Sequence, residues 1–262
     1  MTGAVTYAVG DIHGRYDLLR ALLAAIAADI DTIAPERRVT CVFLGDYVDR
    51  GPDSATVMTT LLWLARHAPF DCVFLRGNHE QVMLDYITDP LAAAAWLDFG
   101  GLATLRSYGV AVDPAVDDFD HVALRDRLLD RLPAAHLDFL HRLAYRHEVD
   151  GHLFVHAGVR PGVALANQNE DDLLWIRDDF LLHKGAFPMT VVHGHSWASA
   201  RPDVQPNRIG IDTGAYQTGV LTAIRIDGTA RRFIAVDEAE ASGAYPIRND
   251  GAIDGMRQSD KI

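Results

Sequence analysis

The chain has 262 residues, 49% of them hydrophobic and 23% charged, a balance that supports a buried core and excludes disordered and collagen-like chains. Its 24 Lys and Arg against 36 Asp and Glu leave a formal charge of −12, which excludes a general nucleic-acid binder unless a local site reverses the sign. Two cysteines, Cys41 and Cys72, exclude a disulfide framework.

In chain order, Val5–Val9 reads as a strand, and it begins without the basic start and apolar stretch of a secretory signal. A cytoplasmic location is therefore expected. The longest apolar stretch, Leu18 to Ile30, contains Arg20 and Asp29 and is too short for a hydrocarbon layer of about 30 Å, so it predicts an amphipathic helix rather than a membrane span. Val39–Leu44 and Cys72–Leu75 predict two further strands, each cysteine just inside an apolar run. Helix-like sequence follows each of the first three strands, an α/β alternation whose ligand sites lie beyond the carboxyl ends of the strands.

Residues 81–149 form a long, mostly helical stretch with a Gly100-Gly101 break and an acidic loop at Asp113, Asp117, Asp118 and Asp120. Two readings stay open for it, a cap inserted into the core domain or helices that complete the fold. Strands follow at Leu153–Val155 and Thr190–Val192. From Arg208 onward the texture is β, with Ile209–Asp212, Val220–Ile226 and Arg231–Val236 joined by tight turns such as Asp227-Gly228, which predicts a second sheet packed on the first. No repeat is visible. The expected organisation is one domain over 1–240, with 241–262 a poorly ordered tail.

The strand ends carry an unusual set of residues: Gly10-Asp11-Ile12-His13-Gly14, Gly45-Asp46-Tyr47-Val48-Asp49-Arg50-Gly51, Arg76-Gly77-Asn78-His79-Glu80, His156-Ala157-Gly158 and His193-Gly194-His195. Asp11 and His13 stand two apart on an extended segment, so both side chains face the same way, as two ligands to one cation must. Carboxylate, amide and imidazole without thiolate favour a hard-to-intermediate divalent metal such as manganese, iron or zinc. Any one motif alone is a turn or a helix cap; five on one rim of a sheet are a site.

The motif set Gly-Asp-x-His-Gly, Gly-Asp-x-Val-Asp-Arg-Gly and Gly-Asn-His-Glu resembles the calcineurin-like metallophosphoesterases, and within them the phosphoprotein phosphatases of bacterial and bacteriophage lambda type. The resemblance runs from Gly10 to about Gly214. It implies a two-sheet β-sandwich flanked by helices, and two divalent ions, manganese first, with iron or zinc as alternatives. By the same resemblance Asp11 and His13 hold one ion, Asp46 bridges to the second, and Asn78, His156 and His195 complete it. The pattern Gly-His-Ser selects His195 over His193, which is left as a neighbour of the metal edge. Ala157-Gly158 departs from the family's usual Gly-Gly, which puts in doubt how closely substrate approaches there.

The resemblance further implies in-line attack on phosphorus by a hydroxide held between the ions. Arg50 and Arg76 are expected to grip the phosphoryl oxygens, with Arg177 in Trp175-Ile176-Arg177 as a third candidate. His79 is expected to act as general acid toward the leaving group, oriented and charged by Asp49. The implied activity is hydrolysis of phosphoserine and phosphothreonine in proteins, with a phosphorylated protein or peptide as partner and neither nucleic acid nor membrane. Symmetrical diadenosine tetraphosphate hydrolases are the rival reading, along with other small-molecule phosphoesterases. Those dinucleotide-cleaving relatives typically carry Ala-Arg-Gly and Asn-His-Asp where this chain has Asp49-Arg50-Gly51 and Asn78-His79-Glu80. An inactive phosphopeptide-binding module, the reading from another class, would show a lost ligand, and none of the six metal positions is substituted.

Overall fold

The computed structural model describes residues 4–112 and 119–242. Asp113, Asp117 and Asp118 of the acidic loop, and the expected tail from residue 243 on, lie outside the described residues.

Ten strands among the described residues make two five-stranded sheets: β1 (Val5–Val9), β2 (Val39–Phe43), β3 (Asp71–Phe74), β4 (Arg146–Val149), β5 (His152–Val155), β6 (Thr190–His193), β7 (Asp203–Val204), β8 (Arg208–Gly210), β9 (Val220–Asp227) and β10 (Ala230–Asp237). The first sheet has the order β10-β9-β1-β2-β3, and the second β4-β5-β6-β8-β7. Strands β1, β2 and β3 are mutually parallel, as are β5, β6 and β8, so six carboxyl ends are available at the rim.

Both faces of each sheet are covered, which is why the strands read as continuous apolar runs. Along β1 and β2 the period-two alternation sends Tyr7, Val9, Cys41 and Phe43 toward the helices, where they join Leu22 and Leu61 of α1 (Tyr16–Ile30) and α2 (Ser54–His67). Ala8 and Val42 point the other way, against Phe154, Val192 and Ile209 of the second sheet. The outer face of that sheet, Leu153, Val155 and Val191, packs on Leu173 and Phe180. Cys41 is buried and Cys72, its neighbour in the β2–β3 register, is half-buried; both are free thiols.

The terminal strands do not build the second sheet as the sequence pattern predicts. Only β8 joins it. Strands β9 and β10 form a hairpin on the free edge of β1, with Val5 opposite Asp227 and Val9 opposite Ala223. Pairing with a strand more than 200 residues earlier is set by which edge stands open, and strand propensity carries no record of that.

The described residues of the 78–142 stretch include α3 (Asn78–Thr88), α4 (Leu102–Ser107), α5 (His121–Leu129) and α6 (Ala134–Arg142). Trp96, Leu105, Leu128 and Leu140 belong to the same hydrophobic cluster as Tyr7 and Leu61, so these helices share the first sheet's core. Strand β4 falls inside the stretch expected to be helical; as a partly exposed edge it carries little apolar signal. No described helix is long and apolar enough to cross a membrane.

Candidate active site

The loops after β1, β2, β3, β5, β6 and β8 meet at the rim where the two sheets face each other, around a cleft of about 190 Å³. His13, Asp46, Arg50, Asn78, His79 and Arg177 line it, with His195 and Asp212. Among the described residues six non-glycine residues have left-handed φ, and five of them are His13, Asp46, Asp49, Arg50 and His195. Each costs about 1–3 kcal/mol, so the chain's strain is concentrated where the side chains converge. Two glycines permit that convergence: a Cβ on Gly77 would lie 2.1 Å from Asp46 Oδ1, and one on Gly194 would lie 2.0 Å from Asp11 Oδ1.

Asp46 is the centre of the arrangement. Its Oδ2 is 3.4 Å from His13 Nε2 and 4.0 Å from His79 Nε2, and its Oδ1 is 3.5 Å from His156 Nε2. Two groups of potential metal donors therefore share it, one with His13 and His79 and the other with His156 and His195. Asn78 Oδ1 lies 2.8 Å from His156 Nε2 and 2.9 Å from His195 Nδ1, which adds the amide to the second group. His13 and His156 each use Nδ1 to donate to a backbone carbonyl, of Val48 and Leu44, which turns Nε2 inward.

Charge in the cleft is set mainly by burial. Burial holds His13 down at about 4 and His195 at about 2, the latter helped by the neighbouring His156, so both imidazoles stay neutral and able to ligate. Burial also pushes Asp11 well above the usual carboxylate range, and Asp212 and Asp46 beside it add to the shift. Asp46 itself is held below that range because the surrounding imidazoles outweigh its burial. Asp11 Oδ1 and His195 Nε2 are buried with no hydrogen-bond partner among the described residues. Neutral imidazoles, crowded carboxylates and orphaned donor atoms are a set that fits divalent cations.

His79 faces the cleft and is tied from behind. Its Nδ1 donates to Asp49 Oδ2 at 2.7 Å. Burial works against its charged form, but Asp46 and the bonded Asp49 outweigh that and raise it to about 9. Asp49 is fully buried and accepts two more bonds, from Trp96 Nε1 at 2.9 Å and from the Thr104 hydroxyl at 2.6 Å. Both of these residues come from the 81–149 segment.

The arginines divide. The Arg50 and Arg177 guanidinium groups line the cleft and have no hydrogen-bond or ion-pair partner among the described residues; Arg50 rests over the Tyr216 ring at 5.4 Å. Arg76 does not line the cleft. It is only 8% exposed, donates to the backbone oxygens of Leu140 and His141 at the end of α6 and to Gln81 Oε1, and stacks on Tyr145. Its place next to the Gly77-Asn78 turn made it look like a phosphate ligand, while the carbonyls that hold it are more than 60 residues away.

His193 also points out of the cleft. Its Nδ1 donates to Gly194 O, and its Nε2 accepts from Arg208 at 3.2 Å. Glu80, fully buried, accepts from the backbone N–H groups of Gly77, Asp46, Tyr47 and Val48, and so ties the β2 and β3 loops together. Sequence reasoning missed Asp212, Tyr216, Trp96 and Thr104. Only Asp212 left a signal, as an acid at a strand end next to glycine-containing sequence.

Residues 5–213 match the model of the calcineurin-like phosphoesterase family, and the chain belongs to that family of metallophosphoesterase hydrolases. It is 29% identical to a symmetrical bis(5'-nucleosyl)-tetraphosphatase of Janthinobacterium sp., over 84% of this chain and 92% of that protein. It is equally 29% identical to serine/threonine-protein phosphatase 1 of Salmonella typhimurium, over 84% of this chain and 91% of that one. The crystal structure of the cold-active protein tyrosine phosphatase of a psychrophilic Shewanella species superposes with a TM-score of 0.52, at 16% identity, over 88% of this chain and 80% of that chain, a likeness of fold.

Proposed function

We propose that the protein is a binuclear metal-dependent phosphomonoesterase that hydrolyses phosphoserine and phosphothreonine in proteins. One observation carries the reading: the hydrogen bond of 2.7 Å between His79 Nδ1 and the buried Asp49, which leaves the other face of the imidazole toward the cleft. Serine and threonine leave as strongly basic alkoxides and need a proton as the ester bond breaks, whereas a nucleotide leaves as a far less basic phosphate anion. A positioned and charged imidazole serves the first chemistry more than the second.

Asp11, His13 and Asp46 would hold one divalent ion, with manganese the expected metal, and Asp46, Asn78, His156 and His195 the other. When bound, two such ions lower the pKa of the attacking water and offset the charge of the phosphoryl group. Arg50 and Arg177, which line the cleft with donors that have no partner among the described residues, grip the phosphoryl oxygens and gain strength as charge gathers there. His79 delivers the proton to the departing oxygen from Nε2, and Asp49 holds the ring in the required tautomer and stabilises its charge.

A symmetrical dinucleoside tetraphosphatase is the second reading, favoured by a relative as similar in sequence as the protein phosphatase. Turnover of metal-stripped protein with divalent ions added back separates the two. Phosphopeptide hydrolysis that depends on added metal and exceeds cleavage of diadenosine tetraphosphate supports the proposal; a preference for the dinucleotide moves the substrate assignment to the second reading.

A further inference from the structure

The chain after β8 leaves the second sheet at the same rim as the loops after β5 and β6, because these three strands run parallel. It brings Asp212 into the cleft beside His13, Asp46 and Asn78, with 5% of its surface exposed. One Asp212 oxygen, Oδ1, accepts from Gly214 N at 2.9 Å, which fixes the carboxyl group. The group also lies within hydrogen-bonding reach of the Asp11 carboxylate.

Asp11 is in a similar position from the other side. Its Oδ2 accepts from His195 N at 2.9 Å, and its Oδ1 is buried with no partner among the described residues. No Lys or Arg is ion-paired to either carboxylate among the described residues. Arg177 in the same cleft acts on Asp212 only at a distance. Two adjacent buried carboxylates with no ion-paired partner are costly, and a residue needed only for the turn to Gly214 would serve as well as asparagine. The charge has a use if a cation sits against both.

We propose that Asp212 is a third carboxylate of the cation pocket, on the Asp11 side, and that it sets how tightly that side holds its divalent ion. This rests on the binuclear reading above, and extends it to a residue outside the motifs. Asp212 supplies charge either directly or through Asp11, and three carboxylates shared between two sites favour hard divalent ions over softer ones.

Asp212→Asn keeps the acceptor for Gly214 and removes the charge, so it gives two effects of opposite sign. The melting temperature of the metal-stripped protein stays level or rises, since like charges no longer face each other. Calorimetric titration with manganese shows one of two ions weakened by about 10–100-fold, the range typical for residues that support metal ligands, while the other is unchanged. Asp212→Glu, which keeps the charge, retains both ions and guards against reading a folding defect as lost affinity. Unchanged affinities for both ions in Asp212→Asn, or a lower melting temperature without loss of either ion, would make Asp212 a turn residue only. Asp46→Asn measured alongside tests the parent reading separately. If wild type takes up fewer than two ions, or Asp46→Asn leaves both bound, the binuclear reading falls and this proposal with it.

Discussion

Asp49 Oδ2 and His79 Nδ1 lie 2.7 Å apart, although one residue stands after β2 and the other opens α3. Local bonds from Asp49 N to the Ser54 hydroxyl and from Gly51 N to Asp49 O hold its backbone, but no near neighbour in the chain holds its carboxylate. Its backbone is left-handed, and its remaining capacity is filled by Trp96 and Thr104, residues about 50 positions onward. The helical segment therefore supports the residue behind the proposed acid.

Thr104→Val keeps the shape of the side chain but removes a donor from a fully buried carboxylate. It is expected to cost about 1–3 kcal/mol in stability, measured by denaturant unfolding. Phosphopeptide turnover falls while aryl phosphate turnover is largely kept, because only the basic leaving group depends on the charged imidazole. Trp96→Phe shows the same bias. An equal fractional loss on both substrates would mean that Asp49 does not act through His79.

The shared carboxylate predicts an all-or-none loss. Asp46→Asn removes the negative charge on which both donor groups converge, and turnover falls at every practical metal concentration. A rate above about a tenth of wild type, a loss under about 1.4 kcal/mol, does not fit a bridging role.

The three arginines separate into two behaviours. Arg50→Ala and Arg177→Ala each lower kcat/KM by about 10²–10³-fold with unaltered metal content and unfolding midpoint, since their guanidinium donors bond to no other group among the described residues. Arg76→Ala does the opposite. It leaves two α6 carbonyls without their donor and is expected to destabilise the protein by about 1–3 kcal/mol, with much smaller change in kcat/KM of the folded fraction.

For the adjacent histidines, elemental analysis is the direct readout. His195→Ala loses an ion, while His193→Ala retains both, because the His193 ring is already engaged by Gly194 and Arg208 outside the cleft. The reverse result would put the final motif out of register by one ligand.

Much of the rim was legible because each motif couples glycines to chemistry-bearing side chains at a strand end. The motifs place Asp11, His13, Asp46, Asn78, His156 and His195 together, and the structure brings them together. What escaped depends on long-range partners. Arg76 sits in a site-like motif but is captured by α6; Trp96 and Thr104 look like ordinary helix residues; and the β9–β10 hairpin joins the sheet whose edge is open. Asp212 stands at the end of a strand run, but only the parallel pairing of β8 with β6 shows that this end lies at the rim.

The central claim, that His79 protonates the oxygen of a serine or threonine leaving group, is tested most directly by comparing kcat/KM on a phosphoserine peptide and on p-nitrophenyl phosphate in wild type and His79→Asn. Nitrophenolate departs without a proton near neutral pH, and the serine alkoxide does not. The account predicts that His79→Asn lowers the peptide-to-aryl ratio by at least about tenfold, within the 10²–10⁴-fold typical of general acid–base catalysis, with metal content unchanged. An equal loss on both substrates at full metal occupancy would contradict it.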